Sequence, residues 1–380
     1  MRSIFGRSGE RGEVSRWLPR TGIHKILVCR TVHTLGDSLT LTPLLQELGA
    51  LYPGAEIDIV NGSPVAQSIY GQFFSVRRIF QLPAHALRHP LRAIGAIRAM
   101  KRNHYDLVID PDPESQSGRL LALWAKADYS VGFAGSRKSG RLTHEVPVPL
   151  EPRHKGTLPV YLVRSAIGEP PGQREYPRMD IQLSVAERRQ GRQTLDRLNR
   201  RQSIPAGGRG NIGIYAFATG KKNLGSAWWN RFLRVFEPAA AEYSLIEILP
   251  AFGHSPLDSR YPGFFSSDVR KLASVLANLT LYVSADCGVM HLASAAGART
   301  AGIFTITPLC EWGPYGNSNR AVDARGRAPE QVAGDILAML GLQATPGSGI
   351  RSTRDCARPL LRTSFEIQRQ VPMAGRSTGC

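Results

Sequence analysis

Acid is what this sequence is short of. Its 380 residues include 30 Asp and Glu against 48 Lys and Arg, a formal net charge of +18 at pH 7. Such an excess suits an anionic partner: nucleic acid, an acidic membrane face or a phosphorylated substrate. It equally suits arginine-rich solvated surfaces that meet no partner. The chain lacks a helix-turn-helix signature, a zinc finger and an aromatic RNA-binding motif, so nucleic-acid binding would rest on charge alone and is not expected. Long apolar runs are missing too. None reaches the roughly 18 residues that a membrane-spanning helix needs, and the arginine-rich start lacks the apolar centre of a secretory signal. Cysteines are few: Cys29, Cys287, Cys310, Cys356 and Cys380 are scattered, with no Cys-x-x-Cys pair. That argues against a disulfide framework or a zinc site and for a reducing, cytoplasmic setting.

What is present is alternation. A hydrophobic share of 42% is ordinary for a globular chain, and the length suits two domains. From residue 25, strand-like runs (Ile26–Cys29, Glu56–Val60, Val76–Leu82, Asp106–Asp110, Tyr129–Phe133) alternate with helical stretches. Leu41, Leu44, Leu45, Leu48 and Leu51 share one helical face, and Pro43 fits that helix's first turn. After a breaker at Glu169–Gly172, the polar helix Ser184–Arg201 and a Gly-rich joint at 205–210, the alternation restarts with Ile212–Tyr215, Ser244–Leu249, Thr280–Ser284 and Thr300–Phe304 as strands. The expected fold is therefore α/β: two Rossmann-like domains with parallel sheets, facing across a cleft. The boundaries read as a basic arm at 1–22, a first domain at 23–180, a linker at 181–210, a second domain at 211–342 and a basic tail at 343–380.

Three strand exits carry polar residues suited to chemistry. In Asp286-Cys287-Gly288-Val289-Met290-His291, a strand ends and a helix opens. Unpaired N–H groups and the positive end of the helix dipole gather there, a setting for an oxyanion. The same residues could equally be an N-capping Asp and a core His. Ala218-Thr219-Gly220-Lys221-Lys222 follows another strand and suits a phosphate, although it is no P-loop and could be a solvated basic turn. Gly36-Asp37 lies beyond the first strand, where Asp37 could cap a helix starting at Ser38–Thr40, face the cleft as a base, or do both. A carboxylate on one domain opposite two anion sites on the other suits transfer of a group from a nucleotide sugar.

These residues resemble glycosyltransferase family 9, the heptosyltransferases of the bacterial lipopolysaccharide core. The resemblance runs over roughly residues 24–342. It is carried by Ile26–Arg30 with Leu35-Gly36-Asp37 and Pro43, by Tyr52-Pro53-Gly54-Ala55, by Tyr105–Asp110 with Ser117, by Asp286–Ala293 and by Trp312-Gly313-Pro314-Tyr315-Gly316. It implies a GT-B fold with an acceptor-binding first domain and a donor-binding second one. It further implies inverting, metal-independent transfer from ADP-heptose, with no cofactor beyond that donor. Asp37 then falls on the general base. Lys222 falls on a donor-phosphate lysine, Cys287, Gly288 and His291 on the diphosphate-binding helix start, and Asp286 on a donor hydroxyl contact. Thr219 and Thr305 fall beside the donor. Arg30, Gly36 and Asp110 fall on the acceptor side, Arg30 being a basic residue near the active site. The implied acceptor is an anionic glycolipid, met at the cytoplasmic face of the inner membrane by a peripheral enzyme. Three stretches depart from the family pattern. Cys287 replaces Thr or Ser, Phe304-Thr305-Ile306-Thr307 stands for Phe-Gly-Pro-Thr, and Pro111-Asp112-Pro113 stands for Leu-Gln-Gly. The competing readings are a GT-B nucleotide-sugar epimerase and a non-catalytic sugar-nucleotide-binding member.

Overall fold

Two six-stranded sheets, every neighbouring pair parallel, organise the chain. A computed structural model describes residues 16–83, 89–135, 140–200 and 208–342. Most of the basic arm, the start of the Gly-rich joint and the basic tail lie outside the described residues. The first sheet comprises β1 (Lys25–Arg30), β2 (Glu56–Asn61), β3 (Val76–Gln81), β4 (His104–Asp110), β5 (Lys126–Phe133) and β6 (His144–Val146) in the order β3-β2-β1-β4-β5-β6. The second comprises β7 (Asn211–Tyr215), β8 (Ser244–Ile248), β9 (Gly263–Phe264), β10 (Leu281–Ala285), β11 (Thr300–Phe304) and β12 (Arg320–Asp323) in the order β12-β11-β10-β7-β8-β9. Each is thus the doubly wound arrangement expected from the alternation. In each, the strand order reverses between two central strands, β1 and β4 in one sheet, β10 and β7 in the other. A crevice opens beyond the carboxyl ends of such a pair.

The central strands are apolar on both faces because helices cover both. From β1, Ile26 and Val28 pack with Leu44 and Leu48 of the helix Thr42–Leu51. Leu27 and Cys29 point the other way, toward Met100 of the helix Pro90–Lys101 and Leu121 of the helix Gln116–Trp124. In the second sheet, Ile212, Ile214 and Val283 pack against Trp229, Phe232 and Phe236 of the helix Gly225–Ala239. All described residues lie in one compact unit, and one buried apolar cluster runs from the first sheet into the second.

Three strands are additional to the sequence reading: β6, β9 and β12. All sit at or next to a sheet edge and are two to four residues long, too short to show a hydrophobic period. The first helical region also differs. A short helix Leu35–Leu39 precedes Thr42–Leu51, and Thr34 rather than Asp37 is its N-cap. The polar helix Val185–Arg200 lies against the helix Val269–Leu276, with only Gly191 and Leu195 buried. Among the described residues no helix is long and apolar enough to cross a membrane.

Candidate functional site

The segments that carry polar residues follow β1, β4, β7 and β10, the four strands flanking the two reversals of strand order. After β1, the Thr34 hydroxyl does two things. It accepts the Asp37 amide at 3.1 Å, closing the helix N-terminus, and it donates to Asp37 Oδ2 at 2.6 Å. Asp37 therefore sits inside the first turn, where a carboxylate is favoured by the helix dipole, with one oxygen held by Thr34.

After β10, Asp286 is 5% exposed and its amide bonds the Ile303 carbonyl at 3.1 Å. Cys287 is the N-cap of the helix Gly288–Ala295. Burial raises its thiol pKa more than the neighbouring amides of Met290 and Val289 lower it, so it stays a neutral thiol. His291, one turn in, is 3% exposed. Burial lowers its pKa to about 4 against the upward pull of Asp286 and Asp37, so the ring is neutral at pH 7. Its Nδ1 is buried without a hydrogen-bond partner.

After β7, Thr219 is exposed and precedes the single 3-10 turn Gly220–Lys222. Lys222 reaches across to Asp286, Nζ to Oδ2 at 3.0 Å. The same oxygen accepts the hydroxyl of Thr307. Thr305, which the sequence reading set beside the donor, lies two residues earlier and half-buried. Thr307, which that reading passed over, is the residue that touches Asp286.

The two strand exits meet. The helix pair Leu35–Leu39 and Gly288–Ala295 is in direct contact. A Cβ placed on Gly36 would lie 3.0 Å from His291 Cδ2, and one on Gly288 would lie 3.2 Å from Leu35 Cβ and 3.3 Å from the Gly36 nitrogen. At both positions a side chain would make its neighbour give by a few tenths of an ångström. In this conformation the bare face of Gly288, expected to admit an oxyanion, is turned to the Gly36 turn.

Arg30, at the end of β1, is buried and pairs with Asp112 at 3.1 Å. Asp112 also accepts the amides of Glu114 and Ser115 at 2.9 and 3.3 Å, which fixes its carboxylate. Asp110 does not reach the cleft surface. It is 0% exposed and bonded to Arg119 Nε at 3.0 Å, and Arg119 in turn bonds Glu145 and the Phe133 carbonyl. Its carboxylate lies inside the first sheet's half of the molecule, bonded to Arg119.

A strap between the halves was not anticipated. His154 donates from Nε2 to the Gly313 carbonyl at 2.8 Å and accepts the Gly156 amide on Nδ1 at 2.9 Å. Burial first, and the nearby His291 second, lower its pKa to about 3. The Lys155 amide bonds the Glu311 carbonyl at 2.9 Å and its ammonium lies 3.3 Å from the Glu311 carboxylate. Trp312 stands edge-on to His291, ring centroids 6.1 Å apart. Arg153-His154-Lys155-Gly156 lies outside the strand-to-helix corners, so its sequence carries no local sign of the cleft. Among the described residues no three His, Cys, Asp or Glu side chains form a metal-ligand group.

Comparison with known proteins agrees with this fold. Residues 267–340, which include β10, Asp286 and the helix start, match the family model for glycosyltransferase family 9 (heptosyltransferase). No curated protein matches the chain. Among solved structures, Escherichia coli heptosyltransferase WaaC with ADP is similar at a TM-score of 0.64 and 17% identity, over 83% of this chain and 99% of that one. The family 9 glycosyl transferase from Veillonella parvula DSM 2008 is similar at 0.63 and 16%, over 80% and 86%. E. coli ADP-heptose lps heptosyltransferase II is similar at 0.60 and 17%, over 83% and 98%. Residues 267–340 thus match the glycosyltransferase family 9 model, and most of the chain shares the fold of these transferase structures.

Proposed function

We propose that the protein moves a heptose or related sugar from an ADP-sugar to a glycan acceptor of the lipopolysaccharide-core kind, with inversion at the anomeric carbon and without a metal. The observation that carries this reading is the meeting of the Gly36-Asp37 turn with the Gly288–His291 helix start. It sets a carboxylate from one sheet beside an anion site from the other. Aspartate is ionised at neutral pH. With Oδ2 held by Thr34, Oδ1 takes the acceptor hydroxyl's proton as that oxygen attacks the sugar. The bond to the diphosphate breaks on the opposite side. The negative charge that develops on the leaving ADP is met by the Lys222 ammonium and the helix N–H groups. Lys222 has three donors, so its contact with Asp286 leaves others for phosphate. The neutral His291 ring brings one unpartnered buried nitrogen to the same place. The choice of an ADP-sugar is supported by WaaC, which was solved with ADP and with ADP-2-deoxy-2-fluoro heptose. The net charge of +18 supports peripheral attachment to an anionic cytoplasmic membrane face, where a glycolipid acceptor would be met.

Asp37→Asn tests the base. Transfer, followed as ADP release with acceptor present, should fall about a hundred- to ten-thousand-fold, while the thermal stabilisation given by ADP is kept. Wild-type transfer by that variant would remove Asp37 from this role.

A further inference from the structure

Beside Asp37 the cleft holds a small pocket of about 100 Å³, lined among others by Arg30, Asp37, Asp112, Glu114, Lys155 and Trp312. From these residues we infer that the sugar unit presenting its hydroxyl to Asp37 is uncharged, carrying neither phosphate nor carboxylate. The inference rests on the transferase reading above and narrows its acceptor.

Charge makes the argument. Among these lining residues two cations face three carboxylates, and both cations are already engaged. Arg30 is held by Asp112, whose other oxygen is fixed by two backbone amides. Lys155 is held by Glu311 and lies 5.9 Å from the centre of the Trp312 ring. An acidic sugar seated here would meet a lining in which Asp37, Asp112 and Glu114 outnumber Arg30 and Lys155, each cation already paired with a carboxylate. Like charges in a confined site oppose binding strongly. A neutral sugar fits the same surface. Its hydroxyls can donate to carboxylates, and its C–H face can lie on Trp312, an aromatic with apolar area to cover. Asp112 lies in Pro111-Asp112-Pro113, the stretch that departs from the family's Leu-Gln-Gly. The excess positive charge of the whole molecule acts at longer range and need not reach the reacting unit.

The test compares two acceptors that differ in one group. Full-length enzyme and ADP-heptose are given a truncated core glycan ending in an unmodified heptose, or the same glycan phosphorylated on that heptose. The neutral acceptor should be used with a kcat/KM at least about tenfold higher. Asp112→Asn, which releases Arg30, should shrink that ratio by about threefold or more, and so should Glu114→Gln, an exposed change that does not threaten folding. Equal or better use of the phosphorylated acceptor by the wild type overturns the inference. So does an unmoved ratio in Glu114→Gln, or in Asp112→Asn if that variant folds. Failure of both acceptors together with no stabilisation by ADP would instead remove the transferase reading, and this inference with it.

Discussion

Gly288 and Gly36 shape the contact between the two halves through the atoms they lack. Each turns a bare Cα toward the other half of the molecule, and their contact sets the spacing between Asp37 and the helix start. A methyl on Gly288 would be about 3.2 Å from Leu35 Cβ, a gap that opens by a slight parting of the two halves. The expected result of Gly288→Ala is small for stability, under about 1 kcal/mol, and large for transfer, because a misplacement of about 1 Å at a reacting centre costs about a hundredfold. Urea unfolding and ADP-release rates on the same preparation check this. A variant losing stability and activity in proportion would show that the contact serves folding alone. At this scale, residue types stand out in the sequence and their partners do not. Asp37, Asp286 and His291 stood out because they follow strands. That Thr34 caps the helix, that Asp112 holds Arg30 and that Asp110 is locked to Arg119 are decided by neighbours up to 82 positions away.

Between elements, the crossing of Val185–Arg200 with Val269–Leu276 sets two effects in opposition. Alanine is favoured over glycine within a helix by about 1 kcal/mol. Yet a Cβ on Gly191 would come 1.9 Å from the Ser274 carbonyl oxygen, and backbone cannot swing aside as a flexible side chain can. Forced overpacking costs about 1–3 kcal/mol, so Gly191→Ala should destabilise, lowering the urea midpoint. Stabilisation by that change would show that the helices are not so close. The crossing is held at one end by Arg270, which bonds Glu187 at 2.5 Å and the carbonyls of Ser68, Ile181 and Gln182. The helix itself was legible from its polar, uninterrupted run. Its packing partner was not, because only two of its residues are buried and so thin an apolar stripe does not name the surface it meets. The edge strands β6, β9 and β12 escaped for a related reason. A strand of two to four residues is defined by the neighbour it pairs with.

For the whole molecule, acidity is the informative variable. His291 and His154 have pKa values lowered to about 4 and about 3 by burial, against an ordinary value of 6.5. The folded state therefore binds fewer protons than the unfolded state below pH 6.5, so stability rises with pH there and falls as pH drops from 6.5 through 4. Glu187, lowered to about 2 by Arg270, adds in the same direction, its contribution being present above 4.5 and lost toward 2. Urea midpoints from pH 8 to pH 4 should be level down to about 6.5 and then decline. A flat profile to pH 4 would mean that these histidines are not buried as neutral rings. His154 ties residue 154 to residue 313, so the decline should be accompanied by loosening of the two halves, seen as loss of ADP-induced stabilisation before global unfolding.

The sequence by itself determined the alternation of strand and helix, the parallel sheets and the strand exits that carry polar residues, because periodicity and strand-to-helix corners are local features within one turn or one extended run. Only the tertiary structure decided which of those exits meet, which carboxylate is open and which is spent, and that Arg30 and Lys155 are already neutralised. Those outcomes depend on pairs of residues far apart in the chain, set by how two sheets with the same strand order are turned toward one another.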